Sequence, residues 1–337
     1  MNGYERTQAA LDGRSPDKTP VMLHNFMMAA KEAGHTMEEY RNDPKVIADT
    51  FIQSIEKYGY DGILVDIDTV TLAGAVGVPV DFPVNEPARS HKACLSSLDM
   101  VKDLEPVDIS TYKYVGIWLE AVERLSEHFK GEIYIRGNCD QSPFSLASMM
   151  RTPQEWMMDL MTSPDQVFEL LDYCSDISCQ FLRLMAKTGA DMISNGDSPA
   201  GPEMISPAMF EQFALPYEKK LAETAHDCGL PHTMHICGNT EPIIELMLES
   251  GSDAFELDYK TDVQKAHDLF KDRVTFMGNI DPSGIIAMGS VGDVRRETEK
   301  LLKIFADSPR FILNAGCAIP SSTPSENIRA MIEIAHS

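Results

Sequence analysis

The sequence lacks long apolar segments and is poor in basic residues. No apolar run approaches the ~20 residues that a membrane-spanning helix needs, and the first residues do not show the basic-then-apolar order of a signal peptide. Its 29 lysines and arginines stand against 52 aspartates and glutamates, which gives a net charge of −23. Because nucleic acids and anionic membrane surfaces attract basic proteins, we expect neither as a partner. We expect a cytoplasmic protein.

A disulfide framework and a domain linker are lacking as well. Seven cysteines are spread irregularly over 337 residues, which does not fit a disulfide-stabilised fold. No low-complexity tract or linker divides the chain, so residues 1–337 are expected to form a single domain. The composition, with 43% hydrophobic and 24% charged residues, is typical of globular proteins.

What the sequence does contain is a repeating unit of a short apolar run, a polar stretch and a helical pattern. Eight such units predict an α/β protein with parallel strands, namely a (β/α)₈ (TIM) barrel. Residues 1–18 are predicted as an N-terminal helical extension, and residues 70–110 as an insertion after the second strand that could form a lid. The predicted strands cover residues 20–25, 62–68, 132–140, 191–197, 232–237, 254–258, 274–281 and 311–317. The clearest helical patterns cover residues 44–58, 112–129, 165–187, 207–228, 241–249 and 291–305.

Each predicted strand ends in polar residues, and at several strand ends two polar residues are spaced two apart. Residues i and i+2 of a strand point to the same side, and barrel active sites lie where the strands end. Each pair alone could equally cap a helix or form a turn, but eight polar ends around one mouth predict a polar cavity. The catalytic candidates are His24, Asp68 and Asn195. The candidate substrate-binding residues are Asn25, Phe26, Asp66, Asn138 and Asn279.

Three of these strand-end residues form a candidate metal site. His235 and Cys237 lie two apart at the end of the predicted fifth strand, and Cys317 ends the predicted eighth. One imidazole and two thiolates suit tetrahedral zinc with the fourth position open for chemistry. By spacing alone the pattern also arises by chance, and a lone cysteine is more often a core residue.

The segment Met234-His235-Ile236-Cys237-Gly238-Asn239 resembles the zinc-binding strand of the uroporphyrinogen decarboxylase superfamily, in its corrinoid and coenzyme M methyltransferase branch. Further matches are Ile205-Ser206-Pro207, Met277-Gly278-Asn279-Ile280 and Gly316-Cys317-Ala318-Ile319-Pro320. The resemblance implies the (β/α)₈ fold and His235, Cys237 and Cys317 as zinc ligands. It also implies Asp258 as a possible acidic fourth ligand, and methyl transfer in one-carbon metabolism with a corrinoid (cobamide) cofactor.

Decarboxylase activity is the alternative within the same superfamily. The decarboxylases have two arginines just past the first strand that bind an acidic porphyrinogen, and here no arginine lies between Pro20 and Glu38. Where they have Gly-His-Gly near the last strand, this chain has Gly316-Cys317-Ala318. Asp68 does match their central aspartate. The resemblance therefore favours a methyltransferase over a decarboxylase.

The direction of methyl transfer stays open. A thiol bound to zinc could accept a methyl group from a methylated corrinoid, or zinc could polarise a methyl donor for attack by a reduced corrinoid. The chain has no Asp-x-His-x-x-Gly cobalamin motif, so we expect the corrinoid to come from a partner protein. Lys260 and Arg136 are basic candidates for binding an anionic group, although either could simply form a salt bridge. A zinc-binding barrel without catalysis and a zinc-free barrel are the remaining alternatives.

Overall fold

A computed structural model describes all residues from Met1 to Ser337. Its strands are β1 (Met22–Leu23), β2 (Gly62–Val65), β3 (Val80–Asp81), β4 (Arg89–Ser90), β5 (Tyr134–Gln141), β6 (Met192–Gly196), β7 (His232–Ile236), β8 (Ala254–Leu257), β9 (Thr275–Ile280) and β10 (Phe311–Ala315). Eight of them form one parallel sheet in the order β1, β2, β5, β6, β7, β8, β9, β10. The sheet closes because Val21, next to β1, bridges to Leu313, whose N–H donates to the carbonyl of Pro20 at 2.9 Å. The predicted (β/α)₈ barrel is confirmed.

Most of the barrel strands are shorter than predicted at their polar ends. The second strand was predicted over 62–68, yet β2 ends at Val65. Beyond it, Asp66 accepts from the N–H of Ile67 at 2.9 Å, and Asp68 accepts from the N–H of Val70 at 2.9 Å. These carboxylates bond to their own loop, so the chain leaves the sheet before the polar pair.

Helices lie between the strands, and one illustrates how local sequence sets the boundaries. The predicted helix 44–58 is present with the same bounds: Asp43 accepts from the N–H of Lys45 at 2.8 Å, Pro44 occupies the first turn, and Gly59 ends the helix at φ 70°. The α-helices are α1 (Gly3–Leu11), α2 (Phe26–Glu32), α3 (Met37–Asn42), α4 (Pro44–Tyr58), α5 (Thr71–Ala75), α6 (Lys113–Phe129), α7 (Pro143–Arg151), α8 (Pro153–Thr162), α9 (Pro164–Met185), α10 (Pro207–Met209), α11 (Leu215–Asp227), α12 (Ile244–Leu248), α13 (Val263–Phe270), α14 (Val291–Ile304) and α15 (Ser325–Ala335). None of these helices is long and apolar enough to cross a membrane.

The helix predicted over 207–228 is interrupted. A π-helical turn over Phe210–Ala214 separates α10 from α11. Pro216 lies in the first turn of α11 and has no N–H to continue the α-helical hydrogen-bond ladder, which explains the break. The helix predicted over 241–249 is also shorter, since it begins with a 3₁₀ turn over Glu241–Ile243.

The N-terminal extension closes one end of the barrel. Helix α1 begins with a capping box between Asn2 and Glu5 and ends at Leu11, so the helix is shorter than the predicted extension 1–18. Its Ala10 and Leu11 pack against side chains from the amino ends of the strands, namely Met22, Tyr134, Met192, Ala254, Met277 and Ile312. Because this end is filled, a cavity can open only at the carboxyl ends of the strands.

The predicted insertion 70–110 contains regular structure of its own. It holds α5, the antiparallel pair β3 and β4, and a 3₁₀ helix over Leu98–Asp103. The buried guanidinium of Arg41 fixes the hairpin by donating to the carbonyls of Pro83, at 2.6 Å, and Glu86. Pro87, in the same hairpin, lines the cavity described below.

Candidate metal centre and active-site cavity

His235, Cys237 and Cys317 meet at the carboxyl end of the barrel. His235 is on β7, Cys237 follows that strand, and Cys317 follows β10. The Nε2 of His235 lies 3.0 Å from the Sγ of Cys237, and the two Sγ atoms are 3.6 Å apart. All three ligand atoms lie within 4.8 Å of one another. One imidazole and two sulfurs at this spacing fit a tetrahedral zinc ion with one position left for a further ligand.

The ring of His235 is oriented for a metal. Its Nδ1 lies 2.9 Å from the backbone carbonyl of Glu256, which can only accept, so Nδ1 carries the proton. Burial disfavours the charged ring, but Cys237 and Glu256 outweigh it and raise the pKa of His235 to about 10, so Nε2, which faces Cys237, binds a metal once it has lost its own proton. Such an outer hydrogen bond fixes the tautomer of metal-binding histidines.

The two thiols favour one thiolate even before a metal binds. The hydrogen bond from Cys317 and the charge of His235 outweigh burial and lower the pKa of Cys237 to about 3. The same hydrogen bond and burial raise the pKa of Cys317. Metal binding requires thiolates and releases their protons, so one ligand is already prepared.

The predicted fourth ligand, Asp258, is not brought into this cluster. Its Oδ2 accepts from the N–H of Gly238 at 2.9 Å, and its Oδ1 accepts from the N–H of Lys260 at 3.0 Å. Asp258 thus organises the loops after β7 and β8. The carboxylate of β8 that faces the cavity is Glu256, whose Oε1 lies 3.7 Å from the Nδ1 of His235.

A cavity of about 310 Å³ lies beside the metal cluster. This volume is at the low end for small-molecule sites. Nine sequence-predicted residues line it: His24, Phe26, Asp66, Asp68, Asn138, Asn195, His235, Cys237 and Cys317. Further lining residues that were not among the site candidates include Met27, Asp140, Gln141, Ser198 and Glu256.

Two predicted substrate-binding residues lie elsewhere. Asn25 is fully buried and donates from Nδ2 to the hydroxyl of Ser54 on α4 at 3.1 Å. Asn279 donates to the carbonyls of Asp258, at 3.1 Å, and Thr261, at 3.4 Å. Neither lines the cavity, because each side chain ties a strand end to a neighbouring element.

A hydrogen-bonded chain fixes His24 at the cavity. Its Nε2 lies 2.7 Å from Oδ2 of Asp66, whose Oδ1 accepts from Asn138 at 3.0 Å. Burial disfavours the charged imidazolium, but the hydrogen bond to Asp66 and the negative charge of Glu256, 3.7 Å from Nδ1, outweigh it and raise the pKa of His24 to about 9. His24 is therefore a cation at neutral pH.

Asn195, a catalytic candidate, forms part of the cavity wall. Its Nδ2 donates to the carbonyl of Cys139 at 3.0 Å, and its Oδ1 lies 3.3 Å from Nε2 of His232. Both ends of the amide are engaged with the protein. These contacts indicate a structural contribution from Asn195.

Glu256 and Arg136 form an ion pair that sequence reasoning missed. Both are almost fully buried, and the guanidinium of Arg136 donates to Oε2 of Glu256. Burial alone would raise the pKa of Glu256, but the charges of Arg136, His24 and His235 hold it well below the usual range. The sequence feature that could have indicated this ion pair is Glu256 itself, the single charged residue in the otherwise apolar strand Ala254–Leu257.

Two neighbouring residues of the cavity lining, Asp68 and Asp140, carry carboxyl groups that influence each other electrostatically. Asp68 accepts at Oδ1 from the hydroxyl of Thr71 at 3.0 Å, and Asp140 accepts at Oδ2 from the N–H of Leu72 at 2.7 Å. Burial raises the pKa of Asp68 to about 6 and that of Asp140 well above its usual range. Asp140 adopts a left-handed conformation, φ 59°, which is unusual for a residue other than glycine.

The family model for uroporphyrinogen decarboxylase (URO-D) matches residues 2–337. The chain belongs to the uroporphyrinogen decarboxylase family.

Curated members of this family carry two kinds of name. The methylcobamide:CoM methyltransferase MtbA of Methanosarcina acetivorans is 28% identical over 335 residues, which is 98% of this chain and 96% of that protein. MtbA of Methanosarcina mazei is 34% identical over 280 residues, covering 79% of this chain and 80% of that protein. The uroporphyrinogen decarboxylase of Syntrophotalea carbinolica is 25% identical over 345 residues, covering 96% and 95%.

A solved structure from Methanosarcina, the genus of the two MtbA relatives, has the same fold. A methyltransferase from Methanosarcina mazei superposes with a TM-score of 0.91 over 99% of this chain and 98% of that chain, at 22% identity. At this identity the likeness establishes the fold, and the chemistry has to be argued from the site.

Proposed function

We propose that this chain is a zinc-dependent methyltransferase. It moves a methyl group between a corrinoid carried by a partner protein and a small thiol or methyl-donor substrate. The observation that carries the proposal is the cluster of His235, Cys237 and Cys317 on the edge of a small cavity. The methyltransferase names of the two MtbA relatives support it. We propose the cytoplasm as its location.

His235, Cys237 and Cys317 would hold the zinc. When bound, zinc supplies a Lewis acid that lowers the pKa of a thiol in the open position. The Glu256 carbonyl keeps Nε2 of His235 available, and Ser198 accepts from the N–H of Cys237 at 3.4 Å, which positions the sulfur. The remaining lining residues exclude water from a site that fits a small substrate.

The methyl transfer itself is a displacement between two substrates. With a thiol acceptor, a sulfur lone pair forms the new carbon–sulfur bond, and the electron pair of the cobalt–carbon bond stays with the partner's corrinoid. The thiol proton would pass to solvent when the acceptor becomes a thiolate. His24, a cation paired with Asp66, and Asp68 face this reaction space and are the proposed catalytic residues.

Reconstitution tests the proposal. The zinc-loaded chain is mixed with methylcobalamin or a methylated corrinoid protein and a two-carbon thiol, and the methyl thioether is measured by mass spectrometry. We expect product only with the cobamide present, and at least about a hundredfold less with Cys317→Ala, since two ligands hold zinc poorly. Cys228→Ala, at an exposed cysteine outside the cluster, is the matched control. Sustained turnover without any cobamide would refute the proposal.

Uroporphyrinogen decarboxylation is the second candidate, favoured by the family name and by Asp68 in the cavity. A porphyrinogen with many carboxylates would enter a cavity of about 310 Å³ that already holds several carboxylates. Like charges repel strongly in such a low-dielectric site. We expect no release of carbon dioxide from uroporphyrinogen, and decarboxylation with ordinary turnover would reverse the preference between the two candidates.

The third candidate is a zinc-binding barrel without catalysis. The number of protein ligands around the zinc distinguishes it from the proposed methyltransferase. Structural zinc is held by four protein ligands, whereas the cluster has three. Extended X-ray absorption of the zinc-loaded chain should therefore show one light or exchangeable ligand that is replaced by sulfur when a thiol is added.

A further inference from the structure

The charges that line the cavity do not balance. Four carboxylates line it: Asp66, Asp68, Asp140 and Glu256. Two of them are paired with cations, Asp66 with His24 and Glu256 with Arg136. Asp68 and Asp140 form no salt bridge, and the zinc charge would be neutralised by its own two thiolates. Neither Asp68 nor Asp140 therefore has a cation of the protein as its partner.

Asp140 is the more unusual of these two. It has no exposed surface, and its Oδ1 has no hydrogen-bond partner in the protein. The bonds that Asp68 accepts from Val70 and Thr71 both go to its Oδ1, so its second oxygen is also free of such partners. A buried carboxylate oxygen without a partner costs free energy that a bound ligand can recover. The raised pKa of both groups has the same origin in burial.

Other cations of the chain are engaged elsewhere. Arg41 acts electrostatically on Asp68, but its guanidinium donates to the carbonyls of Pro83 and Glu86. Lys260, considered for an anionic substrate, pairs with Glu203 at 2.9 Å and does not line the cavity. No cation of the chain therefore pairs with Asp68 or Asp140, and a cationic group of the substrate would displace to solvent the proton that burial favours on Asp140.

We propose that Asp68 and Asp140 bind the ammonium group of a small aminothiol whose sulfur occupies the open position of the metal site. This inference rests on the proposed function and specifies its substrate class. Asp140 and Cys237 line the same cavity of about 310 Å³, so a substrate that contacts both must be small. In the transfer, the sulfur gains the methyl group as described above, and the ammonium group is unchanged.

The opposite charge on the substrate is disfavoured by the same residues. An anionic end group would be buried beside two carboxylates, where Coulomb repulsion is poorly screened. A neutral hydroxyl would neither gain the ion pair nor suffer the repulsion. Hydrogen bonds to charged groups are worth enough to separate an ammonium from a hydroxyl end group by about tenfold to a hundredfold in Kd.

Binding calorimetry with three thiols of equal length tests this without any corrinoid. Cysteamine, 2-mercaptoethanol and 2-mercaptoethanesulfonate end in a positive, a neutral and a negative group. We expect the zinc-loaded chain to bind them in that order of decreasing affinity. In Asp140→Asn the advantage of cysteamine over 2-mercaptoethanol should shrink at least about fivefold, while the Kd of 2-mercaptoethanol stays the same. Asp81→Asn, an equal charge change on the exposed hairpin, should leave the order intact.

The outcomes separate the two proposals. If the sulfonate binds tightest, or if Asp140→Asn leaves the advantage of cysteamine over 2-mercaptoethanol undiminished, the aminothiol inference is wrong and the proposed methyltransferase stands. If no thiol binds the zinc-loaded chain and no methyl thioether forms, both are wrong. Should Asp140→Asn not fold, as judged by circular dichroism, Asp68→Asn provides the same comparison and must weaken cysteamine selectively.

Discussion

The guanidinium of Arg136 on β5 crosses the barrel interior to the carboxylate of Glu256 on β8, and both side chains are almost fully buried. Removing one partner of a buried pair leaves an uncompensated charge. We expect Arg136→Met to lower the free energy of unfolding by about 3–5 kcal/mol, measured by urea denaturation.

The double variant isolates the cause of that loss. Arg136→Met combined with Glu256→Gln removes both charges, so it should recover part of the lost stability. If Arg136→Met alone is as stable as the parent chain, then His24 already neutralises Glu256 by itself, and the ion pair contributes nothing.

His24 should remain protonated well above neutral pH. Its pKa of about 9 in the folded chain exceeds the ordinary 6.5, because its hydrogen bond to Asp66 and the nearby charge of Glu256 outweigh burial. Its contribution to stability is therefore complete below about pH 6.5 and is lost as the pH rises towards 9. NMR titration of the imidazole should show this midpoint, and Asp66→Asn should lower it by at least about one unit.

The matched control for that titration is Asp81→Asn, which removes the same charge from an exposed position outside the cavity. It should leave the midpoint of His24 where it was. A midpoint below neutral pH in the unmodified chain would contradict the hydrogen-bonded arrangement of His24 and Asp66.

The barrel was predictable because each strand carries its own apolar run and each helix its own period. The metal cluster was also predictable from the sequence. The i, i+2 spacing places His235 and Cys237 on one side of their strand, and the end of the eighth strand, with Cys317, lies on the same rim of the barrel. Strand ends were less predictable. An asparagine at a predicted strand end can face the cavity, as Asn138 does, or a neighbouring helix, as Asn25 does, and local sequence does not distinguish these cases.

Long-range pairing accounts for the remaining differences. Asp258 reads as a ligand from its position, but its oxygens are taken by the amides of Gly238 and Lys260, the first of them 20 residues away. In the sequence, Glu256 is a lone charged residue in an apolar strand. The arginine that pairs with it, Arg136, is 120 residues away. Such contacts depend on how the barrel closes, which periodicity does not specify.

Loss of the metal should leave the fold intact. Cys317→Ala should lose zinc or bind it at least about tenfold more weakly, measured as zinc content after dialysis against a chelator. The buried core of the barrel does not depend on the metal, so thermal unfolding of Cys317→Ala should remain cooperative. Cys228→Ala should retain full zinc. Full zinc with unchanged affinity in Cys317→Ala would show that the ligand set is wrong, and failure to fold would show that the metal is structural.

The buried Glu218 on α11 should lower the free energy of unfolding as the pH rises above about 4.5. It is fully buried, and neither oxygen has a hydrogen-bond partner within bonding distance. Burial, together with the charge of nearby Asp197, raises the pKa of Glu218 well above the ordinary 4.5. The folded chain thus keeps a proton that the unfolded chain loses above about pH 4.5, so stability falls as the pH rises.

Glu218→Gln removes this linkage while keeping the shape of the side chain. Its amide can also donate to Oδ2 of Asp197, which has no partner. Relative to the unmodified chain, the free energy of unfolding of Glu218→Gln should increase above about pH 4.5 by up to about 1.4 kcal/mol per pH unit, and the two should coincide below it. Urea denaturation at pH 4, 5, 6 and 7 measures this, with the exposed Glu123→Gln on α6 as the matched control. A Glu218→Gln variant that is less stable at pH 7 would show that the folded chain holds Glu218 ionised, with a cation or water that compensates its charge.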